Sequence, residues 1–143
     1  LIKRLESEGR LRAGGKGAWK TIISDLDASL VATTDIIVQW ESLDDYFMTD
    51  YYTDSFTTAN VQWIPGRFVG EITNTGEKPV EFTRVTVIGY DAAGEVFTVD
   101  YAYALLDTIP PGQTSPFEIS FFGTNADIVP ASYEVFVSAR NVD

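Results

Sequence analysis

The densest group of chemically active side chains lies between Asp44 and Phe56, where acidic and aromatic residues alternate. Ca²⁺ prefers hard oxygen ligands, which carboxylates supply. The spacing matches no EF-hand loop, because the central glycine is absent and no glutamate closes the segment. A calcium site therefore competes with a simpler interpretation, a first strand with solvated acids. The candidate calcium ligands are Asp44, Asp45, Asp50 and Asp54.

The aromatic residues offer a second kind of site, a surface that binds a partner protein or stacks against a carbohydrate. Tyrosine and tryptophan bring a large rigid contact area at small entropic cost. The candidate ligand-binding residues are Tyr46, Tyr51, Tyr52 and Trp19. The alternative is that large aromatics fill the core, as we expect of Trp40 and Trp63.

The composition excludes most familiar enzyme chemistry. The chain has no Cys and no His, so it lacks thiol nucleophiles, imidazole bases, disulfides and the usual zinc ligands. A hydrolase with two carboxylates needs neither residue type, but no such pair stands out, and Glu71 and Glu81 are predicted on solvent faces. We therefore predict that the protein is not an enzyme and has no cofactor, with calcium as the one candidate.

The charge distribution favours protein over nucleic acid as a partner. The net charge is −11, which repels phosphate and anionic lipid. Residues 1 to 20 hold six Lys and Arg and two Glu, a net +4, whereas the rest of the chain carries −15. Because the two parts attract each other within or between chains, we expect a dimer that salt weakens.

The chain after Val61 is predicted to form a series of β-strands. Short β-branched and aromatic runs recur at strand length between Gly, Pro and Asn residues. The alternation slips near Thr83, which indicates a β-bulge, and Asp91 to Gly94 forms a tight hairpin connection. Period-two spacing predicts a set of buried positions. They are Phe68, Ile72, Val85, Val87, Phe97, Val99, Phe117, Ile119, Val135 and Val137.

These strands, without helical spacers, predict an all-β fold, an immunoglobulin-like antiparallel β-sandwich of about seven strands. The predicted domain covers residues 36–143. Residues 1–35 are predicted to form an N-terminal arm or linker, part of it helical, because glycines interrupt the helical spacing there.

Several turn and core motifs follow one another in order from Phe68 to Asp143. They are Val69-Gly70-Glu71-Ile72, Asn74-Thr75-Gly76, Tyr90-Asp91-Ala92 with Gly94, Pro111-Gly112-Gln113 and Pro116-Phe117. This run resembles the FxLYD domain family, immunoglobulin-like domains of bacterial and archaeal secreted or surface proteins. The Phe and Leu of the naming motif fall on Val87 and Gly89 here, and only Tyr90 and Asp91 match it. The resemblance implies a non-catalytic extracytoplasmic module, with no catalytic residues to carry over.

The leading hypothesis is a binding or scaffolding module of a larger envelope-associated protein, located outside the cell or in the envelope. Its partner would be another protein or another domain of the same polypeptide. The alternative is a carbohydrate-binding module that uses exposed Tyr and Trp residues. The chain begins with Leu1 and shows no recognisable signal peptide, so we expect a fragment or processed form whose address signals lie upstream.

Overall fold

The computed structural model describes residues 52–53, 55–122 and 127–142. This part of the chain contains eight β-strands and no helix, which confirms the all-β prediction. Six of the strands have seven or more residues, and the other two have two residues each. The strands are β1 (Tyr52–Thr53), β2 (Phe56–Ile64), β3 (Arg67–Asn74), β4 (Val80–Tyr90), β5 (Val96–Tyr103), β6 (Thr108–Ile109), β7 (Thr114–Ser120) and β8 (Ser132–Asn141).

The strands form two antiparallel sheets that enclose one core. The smaller sheet has the order β2-β3-β7, and the larger has the order β1-β8-β4-β5, with β6 also paired to β4. Phe68 of β3, Phe117 of β7 and Val85 of β4 belong to one buried cluster, so both sheets contribute to the same core. The predicted β-sandwich is therefore confirmed, while its immunoglobulin-like character stays a prediction.

Regular alternation explains most of this core. In β3 every second residue from Phe68 to Asn74 is buried, and in β7 the same holds for Ser115, Phe117 and Ile119. Six of the predicted core residues are at most 2% exposed. They are Phe68, Ile72, Val85, Val87, Phe117 and Ile119. Val135 and Val137 are half-buried and pack against this cluster, as does Trp63.

The core prediction is wrong for Val99, which is half-buried and pairs with Ile88 on β4. Because Val87 faces the core and successive side chains alternate, Ile88 and Val99 lie on the outer face of the larger sheet. Val99 lies on this face because the register between β4 and β5 shifts beside Gly89. Phe97 is inserted there without a partner residue on β4. Phe97 is half-buried, and its ring comes within 3.2 Å of where a Cβ of Gly89 would stand.

A second bulge, predicted near Thr83, is confirmed. The register between β4 and β8 shifts between Glu81 and Arg84, and Phe82 has a φ of 49°. A bulge places two consecutive residues opposite one partner and bends the strand. Thr83 is consequently buried whereas Phe82 is 64% exposed.

Two polar residues fix the connections at the ends of the strands. The fully buried Asn74 side chain donates hydrogen bonds to the Lys78 and Ile109 carbonyl oxygens and accepts one from the Gly76 N–H, at 2.8–2.9 Å. In the predicted hairpin, the Asp91 carbonyl accepts from Gly94 N–H at 3.0 Å. Gly94 has a φ of 80°, a conformation that glycine adopts without strain.

Candidate functional site

Most of the predicted site residues lie outside the described part of the chain. This holds for Trp19, Tyr46 and Tyr51 and for the four candidate calcium ligands, Asp44, Asp45, Asp50 and Asp54. Of Tyr52 only the backbone is described; it pairs with Arg140 at the edge of the larger sheet. Within the described ranges no three His, Cys, Asp or Glu residues gather closely enough to hold a metal ion.

The outer face of the smaller sheet is polar, and its side chains bond to one another. The Thr73 and Thr114 hydroxyls are 2.8 Å apart, and the Asn60 amide donates to the Glu71 carboxylate at 2.6 Å. Arg67 lies 3.7 Å from Glu118. Because these side chains are already paired with one another, they leave few donors or acceptors for a ligand.

The outer face of the larger sheet is different, since aromatic and aliphatic side chains dominate it. Strand pairing places Tyr103 beside Arg84, Tyr101 beside Thr86, and Val99 beside Ile88. Tyr101 and Tyr103 are 46% and 55% exposed. We call this surface the aromatic face. The residues that the register places on it are Arg84, Thr86, Ile88, Val99, Tyr101, Tyr103 and, from β8, Glu134, Phe136 and Ser138.

One end of the aromatic face opens into a shallow groove of about 300 Å³. We call it the arginine groove, because two of the four Lys and Arg residues found after Thr21 line it. Its lining residues are Phe82, Arg84, Tyr103, Ser138, Ala139 and Arg140. The groove brings together β4, β5 and β8, and the bulge near Thr83 supplies Phe82 to it.

Arg84 is held against an aromatic ring. Its guanidinium carbon lies 3.8 Å from the centroid of the Tyr101 ring, within the range of a cation–π interaction. The Tyr103 ring stands 6.2 Å from the Tyr101 ring at an interplanar angle of 88°. Aromatic pairs favour this edge-to-face arrangement, so the three side chains support one another.

The two arginines of the groove differ in their charge partners. Arg140 Nη2 donates to Glu81 Oε2 at 2.9 Å, and its guanidinium lies 4.8 Å from the Phe82 ring centroid. Arg84 forms no ion pair with any described residue, and its Nε is buried without a hydrogen-bond partner. A buried polar group of this kind calls for an explanation, since most such groups are bonded.

The arginine groove was not predicted, although one sequence signal points towards it. Arg84 precedes Val85 and so alternates with the predicted core residues Val85 and Val87, in a strand that is otherwise almost free of charge. Alternation from Phe97 to Tyr103 also grouped Tyr101 and Tyr103 on one face. The inserted Phe97 put that face outside the core, a change that the sequence pattern did not reveal.

The described side chains of the groove have chemistry that suits an anionic or aromatic ligand. Arginine stays protonated and donates several N–H groups in a planar fork, which suits carboxylates. The exposed tyrosines add apolar contact area and hydroxyl groups. The described lining residues include neither a carboxylate nor an imidazole.

The comparisons with known proteins leave the function open. A scan against models of protein families, a search of curated proteins and a search of solved structures each found no match. In the described ranges the search for a helix long and apolar enough to cross a membrane found none.

Proposed function

We propose that this domain is a non-catalytic binding module of a secreted or cell-surface protein, and that it binds another protein through the aromatic face and the arginine groove. One observation carries the proposal: exposed Tyr101 and Tyr103 flank an arginine that has no acidic partner among the described residues. Tyrosine and arginine are the residue types that contribute most often to protein–protein binding energy.

The location and family remain part of the proposal, supported by where the FxLYD-like motifs fall. Asn74-Thr75-Gly76 begins the turn after β3, and Pro111-Gly112-Gln113 forms the turn before β7. Both turns meet at Asn74, since its backbone carbonyl accepts from Gly112 N–H at 2.8 Å. The motifs that carry the resemblance thus lie in turns of this fold. Their position supports the proposed resemblance, and the resemblance in turn supports an extracytoplasmic, immunoglobulin-like module.

The absence of catalysis is proposed on composition and on the roles of the described acids. Glu81 pairs with Arg140, Glu118 with Arg67, and Glu71 accepts from Asn60. Asp91 accepts the N–H groups of Ala93 and Glu95 within its turn. Each of these carboxylates therefore has a structural explanation, and a chain without Cys or His has few other catalytic groups.

Carbohydrate binding is the second candidate, because an exposed Tyr103 can stack against a sugar ring. Arg84 covers one face of the Tyr101 ring, however, and the Tyr103 ring stands perpendicular to it. The two rings therefore do not form a flat platform. The geometry supports an irregular peptide surface better than a row of sugar rings.

The proposal can be tested by selecting binders from a displayed random peptide library and screening the same protein on a glycan array. The key variant combines Tyr101→Ala and Tyr103→Ala. The matched control is Phe122→Ala, which removes an aromatic side chain that is 89% exposed and outside the aromatic face. We expect selected peptides to lose at least about tenfold in affinity for the double variant, since hot-spot tyrosines often cost 2 kcal/mol or more.

The control should leave that affinity unchanged. Equal losses in both variants, or an absence of selected peptides, would contradict protein binding through this face. Glycan binding that only the double variant loses would replace it with the carbohydrate candidate.

A further inference from the structure

We propose that Arg84 binds a carboxylate of an acidic peptide, a Glu or Asp side chain of a partner protein that lies in the arginine groove. This inference rests on the proposed function and deepens it by naming the chemistry that the groove recognises. The charge, burial and surroundings of Arg84 carry the inference.

The first observation is the missing acceptor. Arg84 Nε is buried and has no hydrogen-bond partner, and none of the described carboxylates forms an ion pair with the guanidinium. An N–H donor that has lost its water without gaining an acceptor destabilises the isolated domain. Because that Nε–H is closed to water, a bound carboxylate would meet the rest of the guanidinium and supply the opposite charge there.

The second observation is that the guanidinium is already held in place. The Tyr101 ring lies 3.8 Å from it, and Tyr103 packs edge-on against Tyr101. Less side-chain freedom is therefore lost when a ligand binds. A planar guanidinium fork also matches the two oxygens of a carboxylate, which a lysine ammonium does not.

The third observation concerns the other charges near Arg84, which limit how many negative charges the ligand can carry. Arg140 is already paired with Glu81 at 2.9 Å, so among the described lining residues Arg84 is the positive charge without a carboxylate partner. The chain as a whole carries −11, which repels a ligand with several negative charges. A single carboxylate on an otherwise apolar peptide fits this balance, because its neighbouring side chains can contact Phe82 and Tyr103.

The test uses the full chain and two blocked pentapeptides. One is acetyl-Ala-Val-Glu-Val-Ala-amide, and the other carries Gln in place of Glu, so they differ by one carboxylate. Nuclear magnetic resonance titration of ¹⁵N-labelled protein gives each affinity and follows the Arg84 Nε–H signal directly. We expect the Glu peptide to bind at least about tenfold more tightly, as a charged hydrogen bond predicts, and to shift the Arg84 signal.

Arg84→Gln should remove the difference between the peptides, whereas Arg67→Gln, in the smaller sheet, should keep it. If Arg84→Gln does not fold, Arg84→Lys serves instead. It keeps the charge and lacks the fork, so we expect a reduced preference for the Glu peptide.

Equal affinities, an unmoved Arg84 signal, or no binding of either peptide would overturn carboxylate recognition. If both peptides bind equally and shift the signals of Phe82 and Tyr103, only this inference fails and the proposed function stands. The peptide-library selection with the Tyr101→Ala and Tyr103→Ala double variant tests the proposed function independently of this inference.

Discussion

Among the described residues, two groups of aromatic side chains have opposite surroundings. Between the sheets, Trp63 stacks on Phe121 at 4.7 Å and also contacts Phe68, whose ring lies 5.8 Å from that of Phe117. On the aromatic face, Tyr101 contacts both Tyr103 and Arg84, and the two tyrosines stay about half-exposed. The first group is removed from water by folding itself, whereas about half of each side chain in the second group stays in contact with water.

This difference shows that residue type alone does not separate structural from functional aromatics. Both groups lie on strands, and both form ring contacts of similar length. What separates them is whether a second sheet covers the ring. Substitutions in the first group should therefore reduce stability, and substitutions in the second group should mainly reduce binding.

The largest effect is expected for Phe68→Ala in the core. Phe68 is fully buried and contacts the rings of Trp63, Phe117 and Tyr133, so the change leaves a cavity between the sheets. We expect the free energy of unfolding to fall by about 3–5 kcal/mol. Urea denaturation measures this loss. A loss below about 1 kcal/mol would show that Phe68 is not central to the core.

A polar core residue should have the next largest effect. Asn74→Ala removes two donated and one accepted hydrogen bond from the point where two turns meet. We expect a loss of about 2–4 kcal/mol, because the buried carbonyl oxygen of Ile109 and the part-buried one of Lys78 lose a donor. The control is Thr114→Ala, whose hydroxyl bonds to Thr73 on the exposed side of the smaller sheet and should cost about 1 kcal/mol or less. Comparable losses in the two variants would contradict this account.

Gly70→Ala tests how closely side chains pack on the inner face of the smaller sheet. A Cβ at Gly70 would stand 2.7 Å from Val61 Cγ1 and 2.9 Å from Phe117 Cζ, both on packed side chains. We expect a loss of about 1–3 kcal/mol from overpacking. Thermal unfolding should show no comparable change for Ser120→Ala, which lies on the exposed side of β7. An unchanged midpoint for Gly70→Ala would mean that the core has room to adjust.

The smallest effect on stability is expected for Tyr103→Ala on the aromatic face. Tyr103 is 55% exposed and its ring contacts only Tyr101 among the described aromatics. We expect a loss of about 0.5–1 kcal/mol in urea denaturation, together with the loss of peptide binding described above. A loss as large as that of Phe68→Ala would make Tyr103 a structural residue and remove the contrast between the two groups.

Local patterns in the sequence were sufficient to predict the strands, the turns and most of the core. Alternation placed Phe68, Ile72, Phe117 and Ile119 correctly, because a strand repeats its faces every two residues. The bulge near Thr83 was also visible, since an extra residue breaks that repeat. The calcium and ligand-binding predictions for residues 19–54 remain predictions, because those side chains lie outside the described part of the chain.

The sequence by itself thus determined an all-β chain whose alternate residues form a core between two sheets, because alternation is a local property of the backbone. Only the tertiary structure decided that Val99, Tyr101 and Tyr103 lie outside the core, since that depends on pairing between β4 and β5 around the inserted Phe97. It also decided which arginine has a carboxylate: Arg140 meets Glu81 across β8 and β4, while Arg84 meets Tyr101. Strand pairing joins residues that are distant in sequence, so no local pattern contains this information.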